Sequence, residues 1–149
     1  DYLRIPVIAS GGIMDGRGIA GALTLGSAGV QMGTAFLATP ESGAHPKYKE
    51  LLQSGTEINT VLTRAFSGRM ARGLRNQFIE KLAAVEAQFP EFPIQNALTR
   101  GLRDAAAKQD KAEFMALWAG QGCGQCQTRP AAELMMLWVK QVIQRLGSP

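Results

Sequence analysis

Apolar and polar positions along the chain first define a short repeat. Ile5-Pro6-Val7-Ile8-Ala9 is a continuous apolar run that ends at Ser10-Gly11-Gly12, the pattern of a strand buried on both faces of a parallel sheet. Pro6 is tolerated near a strand start. Asp15 then offers a helix cap, Ile19, Ala20 and Leu23 follow at helical spacing, and Gly26 supplies a left-handed stop. Gly29-Val30-Gln31-Met32-Gly33 reads as a second strand, so this stretch is predicted to form one βαβ unit with parallel strands and a right-handed crossover.

Beyond Glu41 the pattern changes. Pro46 opens a predicted helix to Leu52, and Thr60 to Phe66 has β-branched, partly alternating strand character. Leu74, Phe78, Leu82 and Val85 share one helical face, Pro90 and Pro93 interrupt, and Leu98, Leu102 and Ala105 resume a helix. Asp110 with Glu113 resembles a capping box ahead of Phe114, Leu117 and Trp118, predicting a helix into the loop Ala119-Gly120-Gln121-Gly122. Pro130 starts a last helix with Leu134, Leu137, Trp138 and Val142 on its apolar stripe, Glu133 near its start, and Lys140 and Arg145 toward its end before Gly147. The expected organisation is a βαβ unit over 1–42, a mainly helical insertion over 43–106, and a return to the first domain over 107–149.

Composition fits a folded domain, with 46% hydrophobic and 19% charged residues in 149. The apolar runs are broken well before the roughly 18 residues a membrane span needs, and no signal-peptide pattern is present, so a soluble, cytoplasmic chain without a membrane partner is expected. The chain opens on Asp1 rather than Met, with strand-like sequence from Ile5, and is expected to begin at a cut end. Its net charge of +4 is scattered over predicted helices, which argues against nucleic acid as a partner. Cys123 and Cys126 form a Cys-Gly-Gln-Cys motif in a Gly/Gln-rich loop; without a second pair or the strand-to-helix context of a redox motif, incidental loop cysteines are the preferred reading, and no metal site is expected.

The chemistry suggested by the residues lies in the two turns. Ser10-Gly11-Gly12 and Gly33-Thr34 each follow a parallel strand, and adjacent strand ends lie about 5 Å apart, so their backbone N–H groups can converge on one anion. In (β/α)₈ barrels a phosphate site is frequently built from the loops after strands seven and eight plus a short extra helix, here expected near Thr34-Ala35-Phe36. Other conspicuous residues are given structural roles: His45 as a surface or capping histidine, Arg64, Arg69, Arg72 and Arg75 as solvated or ion-paired, and Trp118 and Trp138 as core.

Pro6-Val7-Ile8-Ala9-Ser10-Gly11-Gly12-Ile13, Asp15-Gly16-Arg17-Gly18 and Gly29 to Leu37 closely resemble nitronate monooxygenases, formerly called 2-nitropropane dioxygenases. The resemblance continues through Glu41-Ser42-Gly43-Ala44-His45-Pro46, Arg64 to Arg69, Ala71 to Asn76 and Leu117 to Gly122, leaving Cys123 to Cys126 as the atypical segment. It implies an α/β fold, the C-terminal part of a TIM (β/α)₈ barrel with its last two strands, carrying a mainly helical cap. It implies FMN as cofactor, with Ser10, Gly11, Gly12, Gly33 and Thr34 binding its phosphate and the Gln121 loop approaching the flavin ring. The implied reaction is oxidation of alkyl nitronates by O₂ to a carbonyl compound and nitrite. A histidine from an earlier strand serves the family as base; His45 does not match its Gly-Gly-His segment, so no catalytic residue is expected on this chain.

Two other readings follow from the same residues. A flavin-dependent enoyl-ACP reductase, which would use NAD(P)H, shares the two turns and a Glu-Ser-x-Ala-His-Pro stretch. Alternatively the chain is an inactive, oligomerising fragment, because two strands of a barrel leave edges exposed. Its expected partners are accordingly the small nitronate and O₂, the N-terminal half of the barrel, and further copies of itself. Alone, the 149 residues are expected neither to turn over nitronates nor to hold FMN tightly.

Overall fold

The computed structural model describes residues 4–54 and 59–147. Its elements in order are β1 (Ile8–Ser10), α1 (Gly16–Thr24), β2 (Gly29–Gln31), α2 (Pro46–Gln53), β3 (Thr60–Thr63), β4 (Ala71–Leu74), α3 (Gln77–Leu82), α4 (Ile94–Lys108) and α5 (Ala131–Leu146). Short 3₁₀ turns cover Thr34–Phe36, Ala83–Gln88, Ala112–Phe114 and Cys123–Gln125. The chain divides into two compact units, residues 1–44 with 121–149, and residues 45–120.

The first unit is the predicted βαβ. Asp15 accepts from the N–H groups of Arg17 and Gly18 and so starts α1. The helix stops where Gly26 (φ 95°) lets its own N–H reach Leu23 O and that of Ser27 reach Ala22 O, a Schellman closure. β1 and β2 are parallel, with Ile8 beside Gly29 and Ser10 beside Gln31. Helix α5 packs against α1: Leu134 and Trp138 are fully buried with Met14 and Ala35, and the Trp138 ring meets Phe36 edge-on at 5.1 Å. A side chain at Gly16 would fall 2.4 Å from Gln141 Cβ, so glycine there sets how closely α1 approaches α5. The expectation that β1 is buried on both faces is corrected: Ile8 is 54% exposed, because among the described residues only β2 pairs with the strand.

The second unit is built on an antiparallel hairpin, β3 with β4, in which Thr60 faces Leu74 and Thr63 faces Ala71. Phe66 stacks on Phe78 with centroids 4.6 Å apart and meets Trp118 edge-on, forming the core with Ala65 and Ile79. The unit joins this hairpin to the helices α2, α3 and α4. Four readings of the sequence are corrected here. The strand from Thr60 stops at Thr63, because the Arg64 N–H turns away to Glu86. Leu74 belongs to β4, not to a helix with Phe78; Asn76 accepts from Ile79 N–H and starts α3 two residues later. The Leu98 and Leu102 stripe of α4 faces outward, Leu98 being 69% exposed, while Gln95, Thr99 and Ala106 face the core. Asp110 does not cap a following helix: at φ 55° it closes α4, with Lys111 N–H on Ala106 O.

After the brief turn at Ala112–Phe114 the chain runs extended beside β4, with Leu74 N–H donating to Leu117 O and Ala119 N–H to Arg72 O. These bonds hold residues 107–120 to the second unit, so the chain returns to the first unit at Gln121 and not at residue 107. No helix among the described residues is long and apolar enough to cross a membrane.

Candidate functional site

The register of the first sheet brings the two turns together. With Ser10 beside Gln31, the chain leaves β1 into Gly11-Gly12 at the level where it leaves β2 into Met32-Gly33. Gly11 (φ 100°) and Gly12 (φ 71°) hold left-handed conformations that a side chain would strain. A Cβ at Gly11, Gly12 or Gly33 would meet no atom within 4 Å, so all three backbones border open space. Ser10 is exposed at the rim, and Thr34 is half-buried where the 3₁₀ turn Thr34–Phe36 begins, the position expected for a short extra helix.

The N-terminus of α1 is not part of this opening, because Asp15 occupies it. Burial pushes the Asp15 carboxyl up, but hydrogen bonds from Gly18 N–H, the Arg17 side chain and Arg17 N–H, with the Arg17 charge, outweigh it and hold the group below its ordinary 3.8. The carboxylate therefore stays ionised, with its oxygens engaged by Arg17 and Gly18.

The Gln121 loop lies beside the first turn. A Cβ on Gly122 would sit 2.5 Å from Met14 Cγ and 3.1 Å from Gly12 O, so this glycine permits the close approach, and Gln121 itself is exposed. The cysteine loop lies against the second turn: Cys126 Sγ donates to Thr34 O at 3.1 Å. Ser10, Gly11, Gly12, Gly33, Thr34 and Gln121 all belong to the first unit. Met14, Gly122 and Cys126 were not singled out for this region; the spacing Gly120-x-Gly122 was the available signal of close backbone approach.

The remaining candidates have structural roles. His45, in the second unit, caps α2 by accepting Lys47 N–H at Nδ1, while Nε2 lies 3.0 Å from Ala107 O and 3.4 Å from Asp110 Oδ1. Arg64 Nε donates to Gly68 O, Arg72 to Thr60, and Arg69 lies over the Phe92 ring. Burial pushes both thiols up, Cys126 to about 11, so neither is poised as a thiolate nucleophile. Among the described residues no group of three His, Cys, Asp or Glu side chains is placed to hold a metal.

A parallel βαβ whose two adjacent glycine turns face open space defines an α/β protein. The family model for nitronate monooxygenase matches residues 1–145, and the chain belongs to that family. It is 44% identical over 144 residues to a probable nitronate monooxygenase of Staphylococcus aureus strain Newman, a match covering 97% of this chain and 41% of that protein. Among solved structures it is similar to nitroalkane oxidase from Streptomyces ansochromogenes, with 43% identity and a TM-score of 0.90 over 95% of this chain and 40% of the other. It is also similar to FabK from Thermotoga maritima, with 36% identity and a TM-score of 0.78 over 95% of this chain and 45% of the other. The chain thus spans about two fifths of the length of the curated relatives it matches.

Proposed function

We propose that this chain contributes the phosphate-binding corner of an FMN-dependent enzyme that oxidises alkyl nitronates with O₂ to a carbonyl compound and nitrite. In this reading β1 and β2 are the last two strands of a (β/α)₈ barrel and the second unit is its cap. The observation that carries the reading is the pair of neighbouring strand ends whose three glycines, Gly11, Gly12 and Gly33, border open space. That opening fits a phosphate approached by backbone amides, with Ser10 and Thr34 at the rim and Gln121 beside the first turn, toward the flavin ring.

Once bound, the flavin would supply the electron transfer from nitronate to O₂. This chain's residues bind and orient its phosphate. His45 is committed to capping α2 and to Ala107 O, so the base that would take a proton from a neutral nitroalkane is assigned to the remainder of the barrel, and the isolated chain is expected to be inactive. The cytoplasmic location expected from the sequence is part of the same proposal.

The test is ligand binding by the full-length protein, followed by fluorescence, with FMN and with riboflavin, which lacks the phosphate. Gly12→Val and Gly33→Val, which fill the opening, are expected to weaken FMN at least tenfold while leaving riboflavin unchanged. Equal affinity of the unsubstituted full-length protein for both compounds would overturn the assignment. A reductase is the second reading, favoured by the likeness to FabK. Rapid anaerobic bleaching of the flavin by NADH in the full-length protein would select it, and nitronate-dependent O₂ uptake without NADH would select the monooxygenase.

A further inference from the structure

We propose that Cys126 is a positioning residue for the cofactor phosphate: its thiol holds the second glycine turn in the orientation that presents amide N–H groups to the anion. The inference rests on the phosphate reading of the two turns.

The carbonyl of Thr34 accepts from both sides of one turn, from Leu37 N–H at 3.1 Å and from Cys126 Sγ at 3.1 Å. In a planar trans peptide the C=O and the following N–H point in opposite directions. Fixing the Thr34 carbonyl on the cysteine loop therefore fixes the Ala35 N–H away from that loop, back toward Gly33 and the opening. Removing the thiol takes one donor from this carbonyl and gives the peptide plane more freedom to rotate.

The cysteine loop is built to hold the donor in place. Cys126 N–H donates to Cys123 O at 3.1 Å, Gln125 N–H donates to Gly122 O at 2.9 Å, and Cys123 is completely buried. Gly122 in turn lies against Gly12 O and Met14, so the segment 122–126 touches both glycine turns. The environment also suits a thiol as donor: it stays protonated through the physiological range, because burial and the neighbouring Cys123 push it to about 11. It therefore presents S–H to the carbonyl and no negative charge to the phosphate.

The experiment compares FMN and riboflavin affinity in the full-length protein, unsubstituted and carrying Cys126→Ala, Cys126→Ser or Cys123→Ala. Loss of one hydrogen bond corresponds to an FMN affinity about 3- to 10-fold weaker in Cys126→Ala, with riboflavin unchanged. Cys126→Ser keeps a donor and is expected within about twofold of the unsubstituted protein. Cys123→Ala, a packing control, is expected to lower Tm without changing the FMN-to-riboflavin ratio. If Cys126→Ala weakens both compounds alike, or neither, or if serine fails to rescue, the positioning role is overturned. If the unsubstituted full-length protein itself does not prefer FMN, the phosphate reading fails and this inference with it.

Discussion

The two units solve the same problem, turning the chain sharply next to a sheet, in opposite ways. In the first unit the turns after β1 and β2 are left open: three glycines border empty space. In the second, the turn from Arg64 to Arg69 is closed by side chains. Gln95 donates to Ala65 O at 2.7 Å, Thr99 to Phe66 O at 2.6 Å, and Gly68 (φ 82°) sits so tightly that a Cβ would be 2.5 Å from Pro90 O. Irregular backbone needs partners for its polar groups. Where the protein supplies them, the turn belongs to a core; where it leaves the backbone facing open space, a ligand can.

This contrast predicts graded losses. Phe66→Ala, which removes the ring at the centre of the second unit, is expected to cost about 3–5 kcal/mol in urea unfolding. Gln95→Leu leaves the Ala65 carbonyl buried without its side-chain donor and is expected to cost about 1–3 kcal/mol, measured the same way. A neutral result there would mean that the closed turn does not depend on its cross-links. In the first unit Asp15→Ala is expected to cost about 1 kcal/mol, the ordinary worth of a helix cap. The Asp15 carboxyl is held below 3.8, so its contribution is present above that pH and is lost as pH falls through the lower folded value. Thermal melts of the two proteins should therefore differ at pH 7 and converge as the pH falls below 3.8. Asp110→Gly relieves the left-handed residue at the end of α4 and should stabilise by about 0.5 kcal/mol, a gain that differential scanning calorimetry would register.

Legibility followed the same division. The first unit was readable because its signals are local and agree: Asp15 caps, Gly26 stops, and apolar runs flank the helix between them. The turns at Gly11-Gly12 and Gly33-Thr34 were readable for the same reason, glycines placed where strands end. What escaped were contacts between distant segments, such as Gly122 on Gly12 and Cys126 on Thr34.

In the second unit the hydrophobic stripe misled. The inward face of α4 is polar because irregular carbonyls at Ala65 and Phe66 need donors, a demand set by another part of the chain. Asp110 failed as a signal because aspartate both caps helices and tolerates the left-handed conformation that ends them. Met115 to Ala119 is a short apolar run of the kind whose periodicity cannot distinguish strand from helix, and pairing with β4 decided it.

Glu41 accepts the Ala131 N–H at 2.9 Å, and Tyr48 OH donates to Trp118 O. One bond joins the two segments of the first unit on either side of the insertion, and the other joins the entry and exit of the insertion itself. The second unit is thus clasped at its own neck, and the chain that leaves the first unit re-enters it close by. Such an arrangement is modular: a piece closed at its own base can lengthen or shorten without the glycine turns of the first unit having to be rebuilt.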